Sequence, residues 1–301
     1  MHGIALIVGA DLLLALSFVF QKLFEKRFGS TSVSAARFML LCGVIKTLFF
    51  ALLCLFTSRA SFVGLCSVFS ITLATVQALL VTAYTLISFQ LLKDSGMTLY
   101  TLFLMAGGMT LPYLYGVVCL NESLTVLRVC GLVLIVCALC LYNLPKKKVA
   151  VTGIKTRFLC VAVFILNGFV SVVSKRHQIE AVLPVADTNG FSLLTALAGT
   201  VCSAILYLVL CRKAGKPNVT PTGSLRPLLL YSSGAAVVGG LSYLLQLTGA
   251  LSLPATMLYP AVTGGSIVFS ALADLAFFKN RPDKRQCIGL ALAFIGTCFF
   301  L

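Results

Sequence analysis

The sequence predicts an all-α, polytopic membrane protein with ten transmembrane helices in two inverted repeats of five. The first observation is composition: 59% of the 301 residues are hydrophobic and 10% are charged, whereas soluble domains carry about 25% charged residues. The second is length, because the apolar runs extend over about 20 residues, enough to cross a hydrocarbon core of ~30 Å. The third is an unequal distribution of positive charge between the loops. These observations exclude a soluble enzyme, a nucleic-acid-binding protein and a disordered chain.

The ten predicted helices are separated by segments rich in turn-forming or charged residues. Gly29-Ser30-Thr31-Ser32 follows helix 1, Asn121-Glu122 follows helix 4, and Asn280-Arg281-Pro282 follows helix 9. The apolar run from Phe62 to Leu92 is longer than one span needs, so its first part, before helix 3, is predicted to be a loop with an interfacial turn. The predicted ranges are 3–24, 34–56, 68–92, 97–119, 125–144, 157–176, 190–211, 227–251, 254–278 and 284–301.

The chain divides into a first half, 1–144, a basic linker, 145–156, and a second half, 157–301. A shift of 158 residues aligns 98–141 with 256–299 without a gap. Seven of the 44 aligned pairs are identical: Thr98/Thr256, Gly107/Gly265, Leu114/Leu272, Gly131/Gly289, Leu132/Leu290, Leu134/Leu292 and Cys140/Cys298. Because each half has an odd number of helices, the two halves must have opposite orientations in the membrane. Inverted repeats of this kind are common in secondary transporters.

Positive charges concentrate on one side of the predicted arrangement. Eighteen Lys and Arg residues fall on the side away from the N-terminus, while Arg59, Arg128, Lys175 and Arg176 fall on the other. Loops rich in Lys and Arg stay in the cytoplasm, so the linker is predicted to be cytoplasmic and both termini to lie outside a cell membrane. The net charge of +15 is therefore explained by topology. The 12 cysteines lie almost entirely in or beside apolar runs and are interpreted as small apolar residues.

Two motifs and the five-plus-five layout are shared with a known family. Leu120-Asn121-Glu122-Ser123-Leu124-Thr125, followed by Gly131-Leu132, is similar to an acidic turn between helices 4 and 5. The segment from Ala250-Leu251-Ser252-Leu253-Pro254-Ala255 to Tyr259-Pro260-Ala261-Val262 is similar to a helix 8–9 corner. In these features the chain resembles, over nearly its whole length, the EamA-like ten-helix permeases of the drug/metabolite transporter superfamily. It departs from them at Lys279-Asn280-Arg281, which replaces the second-half acidic turn, and in placing both termini outside.

The resemblance implies transport of a small polar or amphipathic metabolite through a central cavity lined by helices 1, 3, 4, 6, 8 and 9. Polar side chains within spans are costly unless they face protein or water, so they indicate where that cavity lies. The alternative for the smaller residues, and for the mid-span glycine pairs, is close helix packing; the glycine pairs are expected where helices 4 and 9 cross or bend. The candidate cavity residues are Asp11, Lys46, Gln77, Tyr84, Ser88, Asn167, Tyr243, Gln246, Tyr259, Thr263 and Asp274.

Asp11 and Lys46 are predicted to lie at the same depth on consecutive antiparallel helices, with Gln77 at a similar depth. Three interpretations remain open. The two residues form a buried ion pair that fixes the helix register, or they form a pair that opens to take up a substrate charge or a proton, or the two charges never meet.

The leading functional hypothesis is secondary transport by alternating access. The sequence contains no G-x-x-x-x-G-K-[ST] loop, which argues against ATP hydrolysis by this chain. The alternative is a flippase, or flippase subunit, for a lipid or lipid-linked sugar, with Lys22, Lys26 and Arg27 at the headgroups. An integral-membrane enzyme is disfavoured because the eight acids are scattered. The sequence predicts no catalytic residue, metal site or cofactor; the expected partners are the substrate, membrane lipids and a second copy contacting helices 5 and 10.

Overall fold

The computed structural model describes residues 2–29, 31–57, 64–94, 97–142, 153–213, 225–279 and 281–300, with side chains described outside 2, 88–101 and 142. This part of the chain contains ten helices, one for each predicted span, with ends within four residues of the prediction. They are α1 His2–Phe28, α2 Ser32–Thr57, α3 Val68–Asp94, α4 Met97–Cys119, α5 Val126–Tyr142, α6 Ile154–Gln178, α7 Thr188–Lys213, α8 Leu225–Ser252, α9 Ala255–Phe278 and α10 Lys284–Cys298.

Eight of these helices, α1 to α4 and α6 to α9, are long and apolar enough to cross a membrane. The helices α5 and α10 have 17 and 15 residues in the described part of the chain, whereas a span along the membrane normal needs about 20. The predicted multi-span architecture is therefore confirmed for eight helices by length and composition. That α5 and α10 also span stays a prediction.

Side-chain caps explain where several helices begin. Thr31 Oγ1 accepts the backbone N–H of Ser34 at the start of α2, and Asp187 Oδ1 accepts that of Gly190 at the start of α7. Asp283 and Gln286 form a reciprocal capping box at the start of α10. The first turn of α9 follows Pro254, which provides no side-chain cap. Its backbone donors must therefore find acceptors elsewhere.

The chain forms two compact units, and each draws residues from both halves of the sequence. Unit 1 comprises Met1–Leu12, Ala83–Ile179 and Leu245–Leu301, and unit 2 comprises Leu13–Thr82 and Glu180–Leu244. The helices α1, α3 and α8 each contribute one end to unit 1 and the other end to unit 2. These boundaries differ from the sequence halves 1–144 and 157–301, whose relation as inverted repeats stays a prediction.

The helix α9 is the centre of unit 1, since 12 of its 24 residues are buried. It packs against α4, α5 and α10, and α5 also packs against α10. A Cβ atom at Gly131 of α5 would lie 2.9 Å from the carbonyl oxygen of Gly296 in α10. The glycines of α5 and α10 thus allow these helices to meet within one chain. The predicted contact with a second copy would have to use other faces of the two helices.

The glycine pair of α4 permits a close crossing with α6. A Cβ atom at Gly107 would lie 2.0 Å from the carbonyl oxygen of Phe164, so any side chain there would force the two backbones apart. The sequence had predicted that helix 9 crosses helix 4 at this position. The contact of α4 with α9 instead includes Gly116, where a Cβ atom would lie 3.1 Å from Thr256 Cγ2.

In unit 2, α2 packs along α7 and also contacts α8. A Cβ atom at Gly43 would lie 2.8 Å from Thr200 Oγ1, and the hydroxyls of Thr47 and Thr200 are hydrogen-bonded at 3.0 Å. Before α3, residues 64–66 form the expected turn. The Ser67 hydroxyl donates to the Pro184 carbonyl, so the segments before α3 and α7 meet. Both segments therefore lie at the same end of unit 2.

Candidate functional site

Asp11 is a carboxylate in the middle of an apolar helix, and its side chain is enclosed by protein. It lies in the unit 1 part of α1 and is 1% exposed. Its Oδ2 approaches Gly265 of α9 so closely that a Cβ atom there would lie 1.9 Å away. Oδ1 is buried and has no hydrogen-bond partner in the described part of the chain. An oxygen in this state can bind a proton, a cation or a donor group of a ligand.

Lys46 lies in unit 2, at the middle of α2, and its side chain is half-buried. A Cβ atom at Gly239 of α8 would lie 3.9 Å from its Nζ, and one at Gly240 would lie 3.9 Å from its Cγ. Ser17 of α1 borders the same place, 3.3 Å from the Cβ position at Gly239. Each of the two mid-span charges therefore lies beside a glycine. Because Asp11 and Lys46 belong to different units, their predicted ion pair stays a prediction.

Gln77 and Tyr243 form a polar link between α3 and α8 in unit 2. Gln77 is 6% exposed, and its Nε2 donates to the Tyr243 hydroxyl oxygen at 2.7 Å. Tyr243 follows Gly239 by four residues, so both lie on the same face of α8. The structure thus places Lys46 and this polar link along one face of α8.

Three further candidates contact α6 within unit 1. Asn167 of α6 donates through Nδ2 to the carbonyl of Leu104 in α4 at 2.7 Å. The Tyr259 hydroxyl donates to the carbonyl of Ser171 at 2.8 Å. Tyr84 packs against a small apolar cluster that contains Cys160 of α6. These side chains tie α3, α4 and α9 to α6.

The remaining candidates are less closely connected. The carbonyl of Thr263 accepts a hydrogen bond from the Ser266 hydroxyl at 2.9 Å, within α9. Gln246 and Asp274 are half-buried, on α8 and near the end of α9. Ser88 lies in α3, and its side chain is outside the described residues.

The start of α9 is capped by Glu122, which comes from the turn between α4 and α5. Its Oε1 accepts the backbone N–H of Ala255 at 2.7 Å. Its Oε2 accepts the backbone N–H of Thr256 at 2.8 Å and the Thr256 hydroxyl at 2.8 Å. A negative charge at this position also interacts favourably with the positive end of the helix dipole. A distant carboxylate thereby supplies the cap that Pro254 cannot.

The end of α4 explains how Glu122 reaches α9. Asn121 adopts the left-handed backbone conformation with φ 52°, which asparagine tolerates better than most residues. The chain reverses there, and the Glu122 N–H donates to the carbonyl of Gly116 at 3.0 Å. A Cβ atom at Gly116 would lie 2.7 Å from Glu122 Oε2. The glycine therefore leaves room for the carboxylate over the last turn of α4.

Lys175 holds the other side of the α8–α9 corner. It lies in the last turn of α6 and is 4% exposed. Its Nζ donates to the carbonyls of Ala250 and Leu253, both at 2.7 Å. Ala250 lies in the last turn of α8 and Leu253 directly follows the helix, so the ammonium group is at the helix end where the dipole favours a cation. One acid and one base thus fix the corner, each at the helix end that matches its charge.

Comparison with known proteins identifies a fold and no family. No family model and no curated protein matches the chain. A solved structure described only as "Crystal structure of protein" is similar over 99% of this chain and 96% of that chain, with a TM-score of 0.76 and 17% sequence identity. At this identity the likeness concerns the fold alone.

The sequence did not reveal the roles of Glu122 and Lys175. It placed Glu122 in an acidic turn and counted Lys175 only as a loop charge. The sequence does show that α9 lacks a local side-chain cap. Leu253-Pro254 precedes the helix, where Ser, Thr, Asp or Asn usually caps the first turn. Nothing in the local sequence identifies the acid that supplies it.

Proposed function

We propose that this chain is a multi-pass secondary transporter of a cell membrane, which moves a small polar or amphipathic metabolite by alternating access. The observation that carries the proposal is the buried Asp11 carboxylate beside Gly265, with one oxygen lacking a hydrogen-bond partner in the described part of the chain. An ionisable side chain within a membrane span is costly and usually marks the pathway of a substrate or ion. A purely structural carboxylate would be expected to have both oxygens satisfied.

Further support comes from the helices and from the sequence motifs. Eight helices are long and apolar enough to cross a membrane. The two motifs that resemble the drug/metabolite transporter superfamily contact each other, since Glu122 caps the helix that begins at Ala255. We therefore propose that the chain is an EamA-like member of that superfamily. A flippase for a lipid or lipid-linked sugar remains the alternative outcome of the test.

The test is uptake into proteoliposomes that contain the purified protein. A mixture of amines, amino acids, organic acids, nucleobases and sugars is supplied outside, and the vesicle contents are measured by mass spectrometry. We expect saturable, protein-dependent uptake of at least one compound. Asp11→Asn should reduce that uptake by about ten-fold or more, because it removes the ionisable carboxyl group on which the proposed pathway depends.

Glu25→Gln is the matched control, since it makes the same charge change near the end of the same helix. There Glu25 Oε1 accepts a hydrogen bond from Gln21, and uptake should stay close to that of the wild type. Protein-dependent translocation of a labelled phospholipid without metabolite uptake would favour the flippase. Uptake that is unchanged in a folded Asp11→Asn variant would remove Asp11 from the pathway.

The proposed orientation makes a separate prediction about the basic linker. In a variant with Lys147→Cys as its accessible cysteine, an impermeant maleimide should label position 147 only after the cells are permeabilised. The reason is that Lys146, Lys147 and Lys148 contribute to the excess of positive charge that stays in the cytoplasm. Labelling of intact cells would reverse the orientation.

A further inference from the structure

We propose that Asp11 is the proton-binding residue of the transporter, and that its proton is bound or released only when α1 and α9 separate at Gly265. The structure then shows the proton-loaded form, in which the Asp11 carboxyl group is neutral. This inference rests on the proposed function and deepens it by naming the coupling ion. It concerns residues of unit 1.

The contact between α1 and α9 encloses the Asp11 side chain. Asp11 is the tenth of the 27 residues of α1, and Gly265 is the eleventh of the 24 residues of α9, so both are far from the helix ends. Asp11 is 1% exposed, and a Cβ atom at Gly265 would overlap its Oδ2. Glycine at 265 therefore lets the carboxyl group lie against the backbone of α9. Water can reach the group only when this contact opens.

The neighbouring helices of unit 1 offer no compensation for a negative charge on Asp11. Oδ1 has no hydrogen-bond partner among the described residues. The contacts of this part of α1 are with α9 and with α8, where Leu245 lies beside Gly9. From Leu245 to Ser252, α8 carries no titratable side chain. An ionised carboxylate is strongly disfavoured in such an interior, and the group takes up a proton instead.

The titratable groups of α9 lie on other faces of that helix than Gly265. Asp274 is nine residues from Gly265, which places it on the opposite face and about 13 Å away along the axis. Tyr259 is six residues away, and its hydroxyl donates to the Ser171 carbonyl at 2.8 Å. Asp11 therefore faces the backbone of α9 and no second acid.

The basic residues of unit 1 are also remote from Asp11 in the sequence pattern. All of them lie in the first or last turn of a helix or in a linker, whereas Asp11 is well inside α1. Lys46, the mid-span base of unit 2, stays open as a partner. The Lys46→Met variant tests it.

A proton suits this position better than a metal cation does. Hard cations such as Mg²⁺ and Ca²⁺ take about six or more oxygen ligands. The described residues contain no group of three His, Cys, Asp or Glu side chains that could hold a metal ion. One turn before Asp11, Ile7 belongs to the apolar core cluster of unit 1. A proton needs a single oxygen, and its binding leaves a neutral group that an apolar interior accepts.

Alternating access then moves the proton together with the conformational change. When α1 and α9 are apart, the Asp11 carboxylate binds a proton from the water on the open side. The neutral carboxyl group can return against Gly265, which closes the contact. Opening towards the other side returns the proton to water and restores the carboxylate. The step is a proton transfer alone, so no group is oxidised or reduced.

Infrared spectroscopy of the purified full-length chain, in a detergent without carboxyl or ester groups, measures the protonation state of Asp11. A protonated carboxyl group has a C=O stretching band separate from those of carboxylates and amides. Acidic side chains in contact with water are ionised at neutral pH, so they do not contribute to this band. The wild type should show the band at neutral pH, and Asp11→Asn should lose it. Glu25→Gln, the same change near the end of α1, is the matched control and should keep it.

Transfer of the protein into D₂O measures how well the contact encloses the carboxyl group. The band should shift slowly, because exchange of the proton requires α1 and α9 to separate. Gly265→Ala adds a Cβ atom that overlaps Asp11, so it should accelerate the shift several-fold. Gly199→Ala, where a Cβ atom meets nothing within 4 Å, should not. A wild-type band that shifts as fast as the solvents mix would contradict the enclosure.

Proteoliposomes with an enclosed pH-sensitive dye measure the coupling. The probe is the compound that the wild type takes up in the uptake assay, supplied with a pH gradient of either direction and no membrane potential. A gradient of one direction should raise wild-type uptake several-fold, and uptake should change the internal pH. The residual uptake of Asp11→Asn should not respond to the gradient.

Three results would overturn the proton site. They are a wild type without the protonated band, a band that appears only in Lys46→Met, which would show an ionised Asp11 paired with Lys46, and residual uptake in a folded Asp11→Asn variant that still follows the gradient. The proposed transporter fails separately. A protonated Asp11 in a chain that takes up no compound would keep the protonation and reject transport, whereas wild-type uptake that ignores the gradient would keep transport and reject proton coupling.

Discussion

Glu122→Ala is expected to lower the free energy of unfolding by about 2–4 kcal/mol, as the sum of lost charge-assisted hydrogen bonds and a lost helix cap. The carboxylate accepts three hydrogen bonds, from the backbone of Ala255 and from the backbone and hydroxyl of Thr256. Both donor residues are fully buried, so water cannot easily replace the lost acceptor. The first turn of α9 has no cap of its own at Pro254. The change therefore leaves buried donors unpaired at the centre of unit 1.

Thr256→Val tests the hydrogen bonds of the Thr256 hydroxyl separately from the backbone hydrogen bonds to Glu122. It removes the hydroxyl contacts with Glu122 and with Arg128, the latter 3.4 Å away, but keeps both backbone N–H donors. It should therefore cost about 1–2 kcal/mol, the typical sum for two hydrogen bonds, of which the one from Arg128 is long. Glu25→Ala removes a carboxylate that accepts one hydrogen bond at 3.0 Å and should cost less than Glu122→Ala. Denaturant titration in detergent measures all three, and a Glu122→Ala value no larger than that of Glu25→Ala would contradict the capping role.

The helices could be predicted from the sequence because their signals are local. Apolar runs bounded by Gly29, Pro145 or Pro282 determine where a helix can begin and end, and the ten observed helices follow them. The caps at Thr31, Asp187 and Asp283 lie within three residues of the groups that they bind. Contacts between distant segments carry no such signal. The bond from Glu122 to Thr256 joins residues 134 positions apart.

The candidate site was predictable in its residue types and less so in its contacts. A charge within an apolar helix, such as Asp11 or Lys46, indicates an interior position wherever the helix lies. The helix that each charge faces depends on packing, which sequence periodicity does not determine. The glycine pairs illustrate this, because Gly107 faces α6 and Gly265 faces Asp11. A glycine indicates that a neighbour comes close, but it does not identify the neighbour.

Gly265→Ala is expected to lower the free energy of unfolding by about 3 kcal/mol, at the upper end of the usual cost of overpacking. The added Cβ atom would lie 1.9 Å from Asp11 Oδ2 and 2.8 Å from its Cγ. Asp11 is 1% exposed, so its carboxylate has little free volume into which it can move. Gly199→Ala is the matched control, since a Cβ atom there has no neighbour within 4 Å. That change should be neutral or slightly stabilising, because alanine favours a helix more than glycine does.

Asp11→Ala tests whether the clash with the carboxylate is the cause. The Cβ atom of Asp11 lies 3.5 Å from the Cβ position at Gly265, which is close to an ordinary contact, so the two alanines fit together. In the Asp11→Ala background, Gly265→Ala should therefore cost less than about 1 kcal/mol, which gives a coupling of roughly 2 kcal/mol in the double-mutant cycle. Asp11→Ala alone should not destabilise the protein strongly, because it removes a buried carboxylate with an unsatisfied oxygen. Equal costs of Gly265→Ala in both backgrounds would show that Asp11 and Gly265 are not in contact.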